Sequence, residues 1–315
     1  MFPLADRYPK PLLPIANKPL IAYQLEHLER MGFYEVLVVI RHSKTLERYL
    51  KTEFKGKMQI ETIEINEEST NNVEALKQIW NKITRDFIII PCDLLTDVNF
   101  DDILDQHIIT QASVTMVFRE TEANKQQGGK KDASKEAKDE SNDYDVVVLD
   151  DESHRVLQIT NNTDIESEGL SIKKTILLRH PNSTISTQLY ECHLYVFNYR
   201  IIDFLKKCKR KFSNLKEDLI PFLIQNQYNK KLDREFFADA YQDEEQEKQG
   251  LAKQPEKKKK HLSVFGFISK NTYCKRINMI NEYIQGNLDV FLKPPTLPNC
   301  LYSTKNNEVE SKEKK

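Results

Sequence analysis

The chain has 315 residues, of which 39% are apolar and 30% are charged, and its 47 Lys and Arg nearly cancel its 48 Asp and Glu. This length allows one large core or two modest ones. The balanced charge excludes a whole-protein field that would draw the chain to nucleic acid or to an anionic membrane. No segment approaches the ~18 unbroken apolar residues that a membrane span requires.

The N-terminal segment MFPLADRYPKP lacks the basic region and the long apolar stretch of a secretory signal. The five cysteines are scattered along the chain and never form a CxxC pair. This spacing argues against a disulfide framework and against a zinc site. We therefore expect reduced thiols and a cytosolic protein.

Residues 17–91 alternate helical and extended patterns, as a parallel α/β sheet requires, because each parallel strand needs a crossover to return the chain. Apolar residues at helical spacing predict a first helix with Asn17 as its N-cap, and Gly32 stands where a left-handed C-cap would end it. The patterns that follow predict, in chain order, a strand over 35–40, a helix over 43–54, a strand over 58–65, a helix over 72–83 and a central strand over 87–90.

The second half of the chain is interrupted by two stretches of biased composition. Residues 121–143 hold almost no large apolar side chain, and residues 243–260 end in a four-lysine run, so both are predicted to be disordered surface insertions. The remaining patterns predict strands in VVVLD, RVLQIT, TILL, HLYVFNY and HLSVFGFI, and helices over 101–109, 214–228 and 273–285. We predict one domain over residues 1–290 and a disordered polar tail over 291–315.

The stretch YPKPLLPIANKPLI, from Tyr8 to Ile21, is the most informative motif. Its prolines fix φ and disfavour helix before Ile15, so Lys10 is expected on a rigid extended loop where its ammonium can meet a phosphate. Asp93 follows a predicted strand, which is where open α/β sheets place their ligands. On residue types alone, a Lys-Pro pair is more often plain loop and an Asp after a strand is more often a turn residue.

This stretch resembles the P-K-P-L-x-P-x-x-x-K-P-L/M-I signature of the sugar-nucleotide pyrophosphorylases and their relatives. The resemblance implies a Rossmann-like nucleotidyltransferase fold of the α/β class, with a mainly parallel central sheet and helices on both faces. It also implies a nucleotide site in which Lys10 assists attack on the α-phosphate, Lys18 lies nearby and Asp93 binds magnesium.

Departures from that family indicate that this site is vestigial. No glycine precedes Gly32, so the glycine-rich loop that cradles phosphates in the active enzymes is not found, and we expect that an N-terminal segment is missing from the sequence. Ser69 to Asn72 replace a second glycine-containing loop, and Cys92 replaces the usual glycine before Asp93. Because one preorganised donor typically contributes ~100 to 1,000-fold in rate, we expect no catalytic residue, no cofactor and no bound metal.

A narrower resemblance rests on YPKPLLPIANKPLI, GFYEVLVVI, IIIPCDLLTDV, ECHLYVFNYRIIDFL and EDLIPFLIQNQY, which are similar in order and spacing to the gamma subunits of eukaryotic translation initiation factor 2B. It implies a noncatalytic, regulatory or scaffold subunit of the complex that exchanges GDP for GTP on initiation factor 2. The implied partners are the other exchange-factor subunits, especially epsilon, and initiation factor 2, with no direct nucleic acid or membrane contact. We expect the left-handed β-helix that those subunits carry to be absent from this chain.

Two other functions stay open on the sequence. The chain is alternatively an active sugar-1-phosphate nucleotidyltransferase similar to the GDP-mannose pyrophosphorylases, which would use magnesium and a nucleotide. The third possibility is a nucleotide-sensing module that binds without turnover.

Overall fold

The computed structural model describes residues 3–65, 71–120, 145–236, 261–270 and 272–292. The strands are, in chain order, β1 (Pro14–Ile15), β2 (Lys18–Pro19), β3 (Glu35–Ile40), β4 (Gln59–Glu64), β5 (Phe87–Ile89), β6 (Leu94–Thr96), β7 (Val114–Glu120), β8 (Asp145–Asp150), β9 (Val156–Asn161), β10 (Ser183–Ser186), β11 (Leu189–Phe197), β12 (Val264–Ser269) and β13 (Cys274–Arg276). The α-helices are α1 (Leu4–Arg7), α2 (Leu20–Arg30), α3 (Lys44–Arg48), α4 (Asn72–Ile79), α5 (Phe100–Thr110), α6 (Asn162–Glu168), α7 (Lys174–Arg179), α8 (Arg200–Lys207), α9 (Ile220–Gln225), α10 (Lys230–Phe236) and α11 (Ile280–Leu292).

The predicted insertions over 121–143 and 243–260 lie outside the described residues, as does the predicted tail apart from residues 291 and 292, which end α11. Within the described ranges, no helix combines the length and the apolar character needed to cross a bilayer.

Contacts divide the chain into two compact units. Of the described residues, those from 3 to 65, from 90 to 102 and from 270 to 292 form the first unit, and those from 71 to 89 and from 103 to 269 form the second. The prediction of one domain over residues 1–290 stays a prediction.

In the first unit, β3 and β4 form a parallel pair that runs from Glu35 opposite Gln59 to Ile40 opposite Glu64. The connection between them carries α3, which Ser43 caps by accepting a hydrogen bond from the Leu46 amide. The predicted strand, helix and strand order is therefore confirmed, since a parallel pair requires such a crossover.

In the second unit, four strands are ordered β12, β7, β11 and β5, and a separate antiparallel sheet is ordered β10, β8 and β9. β12 is parallel to β7, whereas β11 is antiparallel to both of its neighbours. The pairings are thus mixed where a mainly parallel sheet was predicted, because a strand buried on both faces has the same composition in either direction. In the described pairings β5 stands at the end of its sheet and not at the centre.

Three local predictions were wrong. The segment TILL lies in helix α7, and the predicted helix over 273–285 is replaced by strand β13 and a later helix, α11. Asn17 is not an N-cap: it has φ +65° in the two-residue turn that joins β1 to β2, and α2 begins at Leu20 after Pro19. Asn tolerates this left-handed conformation better than most residues, which explains why it stands there.

The predicted end of α2 is confirmed. Gly32 has φ +83°, and its amide donates to the Glu29 carbonyl oxygen at 3.1 Å. This is the left-handed C-cap for which glycine is favoured, because it has no Cβ to collide with the following carbonyl group.

Candidate functional site

The segment that carries Lys10 is a tight turn. Residues Lys10–Leu12 form one turn of 3-10 helix, in which the Leu12 amide donates to the Pro9 carbonyl oxygen at 2.8 Å. The prediction of an extended loop here is therefore wrong. Pro11 is compatible with the helical turn because it lies early in it, where an N–H group would have had no helical partner. The side chains of Leu12 and Leu13 are buried and anchor the turn.

Helix α11 forms hydrogen bonds to the next part of the motif. Tyr283 Oη donates to the Pro14 carbonyl oxygen at 2.6 Å, and Asn287 Oδ1 accepts from the Ala16 amide at 3.0 Å. Below these contacts, Ile15, Leu20, Tyr23, Leu95, Ile277 and Val290 form one buried cluster. Residues far apart in the chain thus fix the position of the segment that carries Lys10 and Lys18.

Asp93 is held in place by hydrogen bonds to the backbone around it. Gln24 Nε2 donates to the carbonyl oxygens of Pro91 and Leu94, at 2.8 and 2.6 Å. The Ile277 amide donates to the Asp93 carbonyl oxygen at 2.7 Å, at the end of the antiparallel pair of β6 and β13. As a result Asp93 is only 3% exposed.

The carboxylate of Asp93 is shared by two cations. Arg276 binds it with both ends of its guanidinium, with Nε 3.1 Å from Oδ1 and Nη2 2.8 Å from Oδ2. Lys10 Nζ lies 2.5 Å from Oδ2 and also donates to Asn278 Oδ1 at 2.8 Å. Such charge-assisted and bidentate bonds are the strong ones in proteins.

Burial by itself would raise the pKa of the Asp93 carboxyl, since the charged form is poorly solvated there. The hydrogen bonds and positive charges of Arg276 and Lys10 outweigh burial and hold this pKa below its ordinary value. Asp93 is therefore ionised at neutral pH, and its charge is compensated within the chain.

Lys18, the third residue predicted for the site, makes its contacts elsewhere. Its Nζ pairs with Glu26 Oε2 and lies 4.5 Å from the centre of the Tyr23 ring. The structure thus brings Lys10 and Asp93 together and directs Lys18 to α2.

The fold family implies magnesium at the position of Asp93, but the residues present do not fit that ion. Magnesium in phosphate-handling sites is bound by one or two carboxylates together with water and substrate phosphates. Here both carboxylate oxygens are occupied by side chains that are themselves cations. Among the described residues no group of three or more His, Cys, Asp and Glu side chains could hold a metal ion.

Arg276 and Asn278 were missed in the sequence because their segment was predicted to be helical. In the structure β13 places Arg276 opposite Leu94, one residue after Asp93. Glu282 fixes the segment between β13 and α11 by accepting from the amides of Asn278 and Met279, at 2.5 and 2.7 Å. The adjacent basic pair Lys275-Arg276 is the sequence signal, but a pairing across 183 positions cannot be derived from it.

Comparisons with known proteins agree with this fold. The family model described as nucleotidyl transferase matches residues 1–243. The chain is similar to the translation initiation factor eIF2B subunit gamma of Dictyostelium discoideum, with 28% identity over 91% of the chain and 70% of that protein. The gamma subunit of Schizosaccharomyces pombe is 27% identical over 73% of the chain and 50% of that protein.

The epsilon subunit of eIF2B from Schizosaccharomyces pombe is 33% identical over 38% of the chain and 19% of that protein. This chain therefore spans only part of the length of the relatives that it matches.

A solved structure supports the fold independently of sequence. HddC from Yersinia pseudotuberculosis, complexed with GMP-PN, matches with a TM-score of 0.53 over 89% of each chain at 14% identity. The predicted α/β nucleotidyltransferase fold is confirmed by this match together with the family model. The chain therefore belongs to the nucleotidyl transferase family.

Proposed function

We propose that this chain is a noncatalytic, regulatory or scaffold subunit of a translation initiation factor 2B complex, located in the cytosol. In that role it assembles with other subunits, especially epsilon, in the complex that exchanges GDP for GTP on initiation factor 2. The similarity to gamma subunits over 91% and 73% of the chain supports the assignment to this complex. The engagement of Asp93 by Lys10 and Arg276 carries the noncatalytic part of the proposal.

The chemical reason lies in competition for one carboxylate. A magnesium ion at Asp93 would have to displace a lysine and a bidentate arginine, and it would then lie beside two unpaired positive charges. Repulsion between like charges at ion-pair distances is strong where water is partly excluded. The arrangement therefore favours an internal, structural ion cluster over a metal-dependent transfer site.

An exposed apolar face on α11 supports assembly with another subunit. Ile280, Ile284, Leu288 and Phe291 lie four, four and three residues apart, and this spacing places them on one face of the helix. These four side chains are 38 to 74% exposed. A contiguous exposed apolar face is a feature of protein–protein contact sites. We assign this face, the α11 stripe, to the contact with the epsilon subunit.

The test is reconstitution with epsilon and measurement of GDP release from initiation factor 2. We expect Lys10→Ala to leave the exchange rate within about twofold at equal amounts of assembled complex, because an internal ion cluster takes no part in the reaction. We expect Ile284→Asp with Phe291→Asp to weaken binding to epsilon about 100-fold, since charges would enter an apolar contact. Co-purification and GDP release are the two measurements.

Leu178→Asp serves as the matched control, because Leu178 is 72% exposed and belongs to α7. The control should bind epsilon as the unchanged chain does. The proposal fails if Lys10→Ala abolishes exchange in an intact complex, and the assignment of the surface fails if the stripe variant binds epsilon normally.

A further inference from the structure

We propose that a pocket of the second unit binds a small phosphorylated molecule, and that Arg155 and Arg179 contact its phosphate group. The pocket has a volume of about 730 Å³. Residues around the turn after β8, the end of α7, the segment from 227 to 233 and His261 line it. Ligand sites typically measure about 300 to 1,000 Å³, so the space suits a sugar phosphate or a nucleotide.

Two arginines of this pocket stack on one aromatic ring. The guanidinium carbon of Arg179 lies 4.5 Å from the centre of the Tyr228 ring, and that of Arg155 lies 5.9 Å from the same centre. Arg155 also lies 5.0 Å from the centre of the Phe265 ring and donates to Gln227 Oε1 at 3.3 Å. Stacking fixes a guanidinium by its face and leaves N–H groups at its edge to bind an anion.

Neither arginine is neutralised by a carboxylate within the described part of the chain. Arg210 offers the contrast in the same unit: it also lies over aromatic rings, but its Nη2 is 2.9 Å from Asp218 Oδ1. Both guanidinium groups lie within 6 Å of the centre of one ring in the pocket wall, and each offers charged, planar donors of the kind that bind phosphate oxygens.

The pocket also contains three acidic side chains, Asp150, Glu152 and Asp233. Glu152 Oε1 accepts from Asn182 Nδ2 at 3.1 Å. Asp150 accepts from the Ser153 amide at 3.0 Å and pairs with His180 Nδ1 at 3.0 Å. Asp233 accepts from the Leu262 amide at 2.9 Å and pairs with His261 Nδ1, also at 2.9 Å. Within the described residues, none of these carboxylates forms an ion pair with Arg155 or Arg179.

His180 links the Asp150 carboxylate to the Tyr228 ring. Its Nδ1 faces Asp150, and its Nε2 shares a hydrogen bond with Tyr228 Oη. The chain from Asp150 through His180 to Tyr228 holds the ring on which both arginines stack. Asp150 and His180 are thus positioning residues, and Arg155 and Arg179 are the residues that contact the phosphate group.

Titration calorimetry on the whole chain tests this site with inorganic phosphate, ribose 5-phosphate and AMP as probes. We expect the unchanged chain to bind ribose 5-phosphate or AMP, and the tighter of the two distinguishes a sugar phosphate from a nucleotide. Arg179→Gln should weaken that binding about 10- to 100-fold, because it removes charged hydrogen bonds to the phosphate. Arg179 is exposed, so this variant should melt at the temperature of the unchanged chain.

Arg210→Gln is the matched control and should bind as the unchanged chain does. The proposal is overturned if no probe binds at millimolar concentration, or if Arg179→Gln binds as tightly as the unchanged chain. It is also overturned if Arg276→Gln weakens binding and Arg179→Gln does not, because the ligand would then lie at Asp93. These outcomes are independent of assembly with epsilon.

Discussion

Asp93→Asn should lower the free energy of unfolding of this chain by about 3 kcal/mol, the size of effect seen when one partner of a buried ion pair is removed. The side chain is nearly isosteric, so packing is preserved and the loss is electrostatic. Lys10 and Arg276 would remain with no carboxylate between them, although both are mostly shielded from water. Urea denaturation at neutral pH measures the change.

Glu26→Gln is the matched control, because it breaks the ion pair of Lys18 with a half-exposed carboxylate. That substitution should cost less than about 1 kcal/mol, as exposed ion pairs generally do. The double substitution Asp93→Asn with Arg276→Gln should be less destabilising than the sum of the two single substitutions, because the pair interacts directly. Additive effects, or equal costs for Asp93→Asn and Glu26→Gln, would contradict the ion cluster.

Glu191 should make the stability of the chain fall as the pH rises from about 4.5 to about 7. This side chain is buried on β11, where Tyr195 Oη donates to its Oε1 and Lys216 Nζ lies 3.7 Å from its Oε2. Burial is the largest influence and raises the pKa of Glu191 to about 7 from an ordinary 4.5, against the opposing effects of Lys216 and Tyr195.

The sign follows from proton binding. Between these two pKa values the folded chain holds a proton that the unfolded chain has released, so stabilisation is complete below pH 4.5 and is lost as the pH rises through 7. The loss approaches about 3 kcal/mol for a shift of this size. Glu191→Gln cannot titrate, and it should be more stable than the unchanged chain at pH 8 but not at pH 5.

Urea denaturation at both pH values checks this expectation. Asp97 also makes the stability fall as the pH rises, but by a smaller amount, because burial raises its pKa to about 6. This contribution is the same in the unchanged chain and in Glu191→Gln. Equal losses of stability in Glu191→Gln and in the unchanged chain would show that Glu191 does not carry the effect.

The parts of this fold that the sequence predicted are those governed by local rules. The parallel pair of β3 and β4 follows from apolar runs separated by a helical pattern, and Gly32 follows from the need for a left-handed cap. Strand direction within the second unit was not predictable in this way. An apolar run indicates that a strand is buried on both faces of its sheet. Whether the strand is parallel or antiparallel to its neighbours depends on the connections between strands, which the pattern does not encode.

The candidate site was predictable only in part, for a related reason. Lys10 was identified because it belongs to the proline-rich motif, and Asp93 because it follows a predicted strand. Arg276 belongs to no such motif, and its position depends on the antiparallel pairing of β6 with β13. That pairing makes Asp93 the centre of an ion cluster, whereas the sequence offered it only as a residue of a vestigial nucleotide site. The chemistry of the site thus depends on a strand pairing between segments that are far apart in the sequence.

The most direct test of the ion cluster is pyrophosphate release by the chain supplied with GTP, mannose 1-phosphate and magnesium. If Asp93 is held by Lys10 and Arg276, the unchanged chain should release no more pyrophosphate than a sample without protein. Release by the unchanged chain that disappears in Lys10→Ala would contradict this account, because it would show that these residues form a working transfer site.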